Sequence, residues 1–205
     1  MAFATSVADS VPLNESGATR TVVGTPGIAG TPAVSCAGAM HETAEDIRAL
    51  QELLDRSYDA AGKHLRSITT SERRVHAEEL VERLIGMCLI VVATVTRDCR
   101  PIAGPLDGIF YRGAFHFGTA PDSVRYRHLL ARPQVSATHL PAEEFAVNVH
   151  GRAVPVEIAG GLRETLLEVY VPRYGPEWEQ FLDSGPVYMR IDADRMFTFQ
   201  MRNPA

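Results

Sequence analysis

From Thr43 onward, apolar residues recur at helical spacing: Ile47, Leu50, Leu53, Leu54 and Tyr58 stand three or four positions apart with charges between them. Thr43 suits an N-cap, and Glu45 and Asp46 suit the first turn of the helix it opens. "SITTSERR" interrupts that pattern. "VHAEELVERLIG" then gives a second amphipathic helix, expected to close near Gly86. The texture changes at Cys88. "CLIVVATVT" is β-branched and continuous, which predicts a strand buried on both faces. "RDCR" is a tight connection to "PIAGPLDGIFY", a strand in which Gly104, Pro105 and Gly108 should disturb the ladder.

Arg112-Gly113 predicts a hairpin into "AFHFGT", a short helix follows from Ser123, and "QVSATHL" reads as the next strand. "EFAVNVHGRAVPVEI" predicts a long strand with a bulge at Gly151. "GLRETLLEVYVPRYG" and "PEWEQFLDS" read as helices, and "VYMRIDADRMFTFQM" closes the chain as one strand or a hairpin. Several antiparallel strands at short spacing, with helices as side elements, predict a mainly β fold built on a small barrel.

Residues 1–40 are rich in Ala, Gly, Thr, Ser, Val and Pro and show no sustained period, which predicts a flexible tail. Met40 opens the new texture and is the expected start of translation. Residues 41–86 form the expected helical segment, and 87–205 the barrel domain. The N-terminus lacks a basic start followed by an apolar core. The stretch before Cys36 is broken by glycines and prolines, so neither a signal peptide nor a lipoprotein leader is expected.

Composition narrows the function. The formal net charge of −5 argues against a nucleic-acid-coating surface. The three cysteines, Cys36, Cys88 and Cys99, have neither disulfide-framework nor zinc spacing. Cys88 is expected in the core and Cys99 in a turn, and a reducing cytoplasm is the simplest setting. No apolar run approaches the ~20 residues that span a bilayer. None of the seven histidines falls in a metal motif, and Walker, dinucleotide and nucleophile-elbow patterns are absent.

The candidate chemistry sits in "FHFGTAPDSVRYRHLL". Thr119, Ser123, Arg125 and Arg127 gather at the start of one short helix. Such a start offers free backbone N–H groups and the positive end of the helix dipole. Arg125 in the first turn opposes that dipole unless an anion is present. A phosphate would satisfy amides, hydroxyls and guanidinium together. The competing reading is an ordinary cap with arginines facing water. Of the remaining polar positions, His128 stands nearest the helix. Asp107 is expected to pair with a backbone N–H or an arginine. Tyr174, Trp178 and Phe181 are expected to be core or to wall a site.

The ordered set "RPIAGP", "FHFGTA", "S-x-R-x-R-x-L", "RPQVSAT" and "VHGRA" resembles the pyridoxamine 5′-phosphate oxidase-like flavin-binding split barrels over about residues 80–200. The resemblance implies a six-stranded antiparallel Greek-key barrel, a homodimer with cofactor sites at the interface, and FMN as cofactor. It implies that Arg100 opens the strand beside the flavin, and that the backbone of Ile102, Ala103, Gly104, Pro105 and Leu106 borders the ring. Gly118 and Thr119 match the strand end that meets the cofactor, and Ser123 and Arg125 the phosphate holders, with Arg127 beside them. Three positions depart from the oxidase pattern: Pro105 stands for a lysine, Val124 for a basic residue and Ala146 for a glutamine. Pyridoxamine 5′-phosphate oxidase activity is therefore not expected. The resemblance leads to an FMN-dependent two-electron oxidoreductase acting on a small molecule. A reductase using the deazaflavin coenzyme F-420 and a non-catalytic flavin- or haem-binding protein are the alternatives; neither a nucleic-acid nor a membrane partner is expected.

Overall fold

The computed structural model describes residues 40–201. The expected tail, apart from Met40, and Cys36 lie outside those residues. Helices α1 (Ala44–Asp59), α2 (Lys63–Ile68) and α3 (Ala77–Arg83) precede the barrel, with one 3₁₀ turn at Ser71–Arg73. The barrel strands are β1 (Met87–Val95), β2 (Pro101–Tyr111), β3 (Ala114–Thr119), β4 (Gln134–Ala142), β5 (Phe145–Val156) and β6 (Val187–Gln200). Helix α4 (Val124–Ala131) links β3 to β4, while α5 (Gly160–Tyr174) and α6 (Glu177–Asp183) link β5 to β6. All strand pairs are antiparallel and the sheet closes in the order β1-β2-β3-β6-β5-β4. The expected split β-barrel with a preceding helical segment is the observed fold.

Local chemistry explains most boundaries. Thr43 and Asp46 form a reciprocal capping box on α1. Arg112 and Gly113 both take positive φ, 53° and 75°, which suits the tight β2–β3 hairpin. The bulge falls between His150 and Gly151. A Cβ at 151 would lie 2.1 Å from the Asp192 carbonyl oxygen, so only glycine fits. The chain closes as a single strand, β6. Helix α3 ends earlier than expected: its C-cap is Leu84, and Gly86 lies beyond it with φ 82°.

Two expectations need correction. The run from Cys88 to Val95 is buried on one face only. Cys88, Ile90, Val92 and Thr94 point into the barrel, while Leu89 and Val91 are 58% and 47% exposed on its outside. Continuous apolar character reflects two apolar faces, of which this chain covers one. Secondly, Gly104, Pro105 and Gly108 do not disturb the β1 ladder, which runs unbroken from Met87–Ile109 to Val95–Pro101. The opposite edge of β2 is bare from Pro101 to Asp107, because β3 pairs only with Gly108–Tyr111. A strand with one free edge is where proline is tolerated.

Strand β3, with 6 residues, is much shorter than its neighbours β2 with 11 and β6 with 14. It therefore leaves a bare edge on β6 as well, beyond Arg190. Helix α1 covers that edge. Ser57 Oγ accepts from the Met196 amide at 3.0 Å and donates to Leu53 O at 2.6 Å. Tyr58 Oη accepts from the Thr198 amide at 2.8 Å, and Thr198 Oγ1 accepts from the Val75 amide at 2.8 Å. Leu50, Leu53, Leu54 and Tyr58 then join the same core as the barrel residues Ile90, Phe115, Phe117 and Met196. A second apolar cluster lies outside the barrel, where α5 and α6 pack Leu162, Leu166, Tyr170 and Leu182 over Ile109 and Tyr188.

Tyr58→Phe removes the acceptor for the buried Thr198 amide and should destabilise the fold by about 1–3 kcal/mol. Urea unfolding checks this: an unchanged midpoint would show that α1 does not hold the β6 edge.

Candidate functional site

The second bare edge, on β2, has no backbone cover. Helix α4 reaches it with the Arg125 side chain. Ser123 is its N-cap, accepting from the Tyr126 amide at 3.0 Å. Leu129 and Tyr126 pack into the core, and His128 Nδ1 lies 3.1 Å from Thr94 Oγ1 on β1. These contacts fix α4 at the barrel mouth, between the end of β3 and the first half of β2.

Thr119, at the end of β3, is buried, and its hydroxyl lies 2.8 Å from that of Ser123. The two hydroxyls carry two protons and share one bond, so one O–H is left to donate. The first-turn amides of Val124 and Arg125 have no helical carbonyl to bond. Arg125 reaches from α4 over β2: its Nη2 lies 3.2 Å from where a Cβ on Gly104 would stand. The small residue lets the guanidinium lie against the strand. Arg125 is half-buried, and burial alone lowers its pKa. It has no acidic or hydrogen-bonding partner among the described residues. A half-desolvated, unpaired cation beside free N–H and O–H donors is the chemistry of an anion site.

The other expected residues divide. Gly104 meets Arg125 and Thr119 meets Ser123 at the split between β2 and β3, while Gly118 faces the Tyr188 ring. Ile102, Ala103 and Pro105 are exposed along the first half of β2, and Leu106 is buried where the strand enters the barrel. Two arginines are engaged elsewhere. Arg100 pairs with Asp98 at 2.6 Å on the β1–β2 turn, and Arg127 donates to the Asp122 carbonyl at 2.6 Å. Arg132 likewise donates to the Val95 carbonyl at 2.9 Å. Asp107 meets neither a backbone N–H nor an arginine, contrary to expectation: it accepts from the Tyr174 hydroxyl at 2.6 Å. Its carboxylate stands on the outer face of β2, where α5 and not the sheet supplies the partner.

Cys88 is buried, which pushes its thiol up to about 12 and keeps it inert, while Cys99 is exposed in its turn. His116 alternates with Phe115 and Phe117 as expected, and burial lowers its pKa to about 4. No helix among the described residues is long and apolar enough to cross a membrane.

The fold is a split barrel, and the unpaired Arg125 guanidinium stands over Gly104 on β2. No family model and no curated protein sequence matches the chain. Solved structures do. A conserved hypothetical protein from Mycobacterium tuberculosis is 18% identical over 73% of this chain and 93% of its own, with a TM-score of 0.47. A putative pyridoxamine 5′-phosphate oxidase from Listeria innocua is 13% identical over 53% and 85%, with a TM-score of 0.43. The heme storage protein HutZ from Vibrio cholerae is 18% identical over 55% and 84%, with a TM-score of 0.45. At such identities the likeness is one of fold, and the function of this chain has to be argued from its own residues.

Arg125→Ala should leave the stability of the ligand-free protein within about 0.5 kcal/mol, because no partner is lost. Arg132→Ala, which removes the bond to Val95, should cost about 0.5–1.5 kcal/mol. A loss at Arg125 equal to that at Arg132 in urea unfolding would make Arg125 a structural residue.

Proposed function

We propose that the protein binds FMN at the β2–β3 split and is a two-electron oxidoreductase acting on a small molecule. The observation that carries this reading is Arg125, half-buried and unpaired over Gly104, with the Thr119–Ser123 hydroxyls and the α4 amides beside it. Those groups fit a phosphate: the guanidinium gives charge-assisted hydrogen bonds and the helix start adds neutral donors. Bound FMN would supply hydride transfer at its N5. The chain's own part is to anchor the phosphate, to present the flat, exposed edge of Ile102–Pro105 to a planar ring, and to exclude water from the mouth with α4. No side chain at the cradle is placed as a general acid or base, and positioning suffices for hydride transfer.

The deazaflavin reading needs further cations for that cofactor's acidic tail. Arg112, Arg127 and Arg132, the candidates in the sequence, are bonded to Asp46, the Asp122 carbonyl and the Val95 carbonyl. That disposition favours FMN. We also propose a homodimer in a cytoplasmic setting. The exposed outer face of β1, with Leu89 and Val91, continues onto Ala103 and Pro105 of β2. An apolar sheet face of this kind is covered in a stable assembly. A second copy seated there would lie against the same strand that borders the cradle.

The purified protein should retain FMN through desalting and show a two-band flavin spectrum. Arg125→Ala should weaken binding by about 1.5–3 kcal/mol, the value of a charged hydrogen bond. Unchanged affinity removes Arg125 from the site, and retention without turnover by any nicotinamide donor assigns storage or sensing instead of catalysis. Val91→Arg should convert a sedimenting dimer to a monomer; a monomeric parent protein would sink the dimer.

A further inference from the structure

A cavity of about 420 Å³, open to solvent, lies where α1, the β2–β3 hairpin and the middle of β6 meet. That volume is in the range of small-molecule sites. The short β3 creates it. Strand β3 pairs with β6 only as far as His116–Arg190, and α1 takes up β6 again at the Met196 amide. Between those points, Ile191 to Ala193 border the cavity. Leu50, Leu53 and Ile191 are buried and give it an apolar floor.

The rim is charged. Arg112 donates to Asp46 at 2.9 Å and Arg190 to Asp192 at 2.6 Å, so both carboxylates of the wall are paired. Arg56 is exposed at the rim and has no partner for its guanidinium among the described residues. It stands on the same face of α1 as Asp46, Leu50 and Leu53, about 15 Å along the axis from Asp46. The cavity is therefore an elongated one, and three arginines against two aspartates leave its wall one positive charge in excess.

His116 adds a polar group to this wall although it is only 3% exposed. Its Nδ1 lies 3.0 Å from the Ala114 carbonyl oxygen, which can only accept, so Nδ1 carries the proton and Nε2 is a bare acceptor. Burial lowers the pKa to about 4, and the ring stays neutral at pH 7. Nε2 has no partner among the described residues, whereas every fully enclosed side-chain nitrogen or oxygen among them has one. Nε2 is thus not enclosed, and the space that His116 lines is this cavity. A buried acceptor without a partner is a place for a donor. His116 and Thr119 stand three positions apart on β3 and hence on opposite faces, which separates the cavity from the proposed phosphate site.

We propose that this cavity binds an amphipathic organic monocarboxylate that carries an O–H or N–H donor. The carboxylate pairs with Arg56, the apolar body lies on Leu50, Leu53 and Ile191, and the donor bonds to His116 Nε2. One excess positive charge matches one carboxylate; a second negative charge would meet Asp46 and Asp192. The inference is independent of the flavin reading.

The test titrates 8-hydroxyoctanoate, octanoate and 1,8-octanediol into the parent protein, Arg56→Ala, Ala49→Trp and Arg125→Ala by calorimetry. Arg56 and Ala49 are both exposed on α1, so their variants should keep the parental urea midpoint, and a tryptophan at position 49 fills the cavity that Ala49 lines. The parent should bind the hydroxy acid about three- to tenfold more tightly than octanoate, the size of one neutral hydrogen bond. It should prefer the hydroxy acid to the diol by a similar factor, since the Arg56 guanidinium faces solvent. Arg56→Ala should bring the hydroxy acid to the level of the diol, Ala49→Trp should abolish binding, and Arg125→Ala should change nothing. A parent that binds none of the three probes overturns the proposal, as does affinity that survives both α1 substitutions. Equal affinity for octanoate and the hydroxy acid removes the His116 contact and with it the proposed ligand class. FMN binding should be parental in both α1 variants; its loss there would make the cavity part of the flavin site and overturn its independence.

Discussion

The organisation of this molecule follows from the shortness of β3. A closed sheet needs each strand to be paired along both edges, and buried or bare backbone groups need partners. Strand β3 spans 6 residues between neighbours of 11 and 14, so it closes the barrel only around Gly108–Tyr111 and Val187–Arg190. Two stretches of edge remain. The one on β6 is closed from within by Ser57, Tyr58 and the segment around Val75, and it becomes part of the core. The one on β2 is left to the side chains of α4. The same defect is thus closed by backbone bonds to side chains on one side and left open on the other.

That difference explains why the N-terminal helices are needed. Without α1, the amides of Met196 and Thr198 would stand unpaired against an apolar cluster, at about 1–3 kcal/mol each. With α1 in place the Met196 and Thr198 amides of β6 have partners. At the other end of β6, Thr119 pairs with Val187 and its hydroxyl stands beside that of Ser123, the cap of α4. A guanidinium half removed from water without a partner is unfavourable for the isolated fold. On the reading proposed above, an anion from outside completes it.

Most of the elements were legible in the sequence because their signals are local. The Thr43 capping box, the Arg112-Gly113 turn and the Gly151 bulge each depend on residues within a few positions. The start of α4 was legible for the same reason: Ser123 caps it. What could not be read was pairing across the fold. Arg100 and Arg127 look alike to Arg125 in sequence, yet one meets Asp98 and the other a carbonyl of its own turn. Asp107 finds Tyr174 across 67 positions, which no local pattern encodes. Periodicity also misread β1, since an apolar run states that both faces are apolar and not which molecule covers each.

The outer face of β1 connects these observations. Leu89 and Val91 face outward on a sheet whose inner face is already filled, and β-branched residues there add nothing to the core of this chain. Exposed, they lower solubility; covered, they contribute about 25 cal/mol per Å² of apolar area buried. The register sets Val91 against Pro105 and Ala93 against Ala103, so whatever covers β1 also covers the exposed half of β2. The same strand carries Gly104 under Arg125 and, three residues further on, Asp107 bonded to Tyr174. Strand β2 is therefore shared by the apolar patch, the Arg125 contact and the Asp107–Tyr174 pair. The dimer proposed above would rest on the same strand that borders the proposed phosphate site, which is the physical reason to measure assembly and ligand binding together.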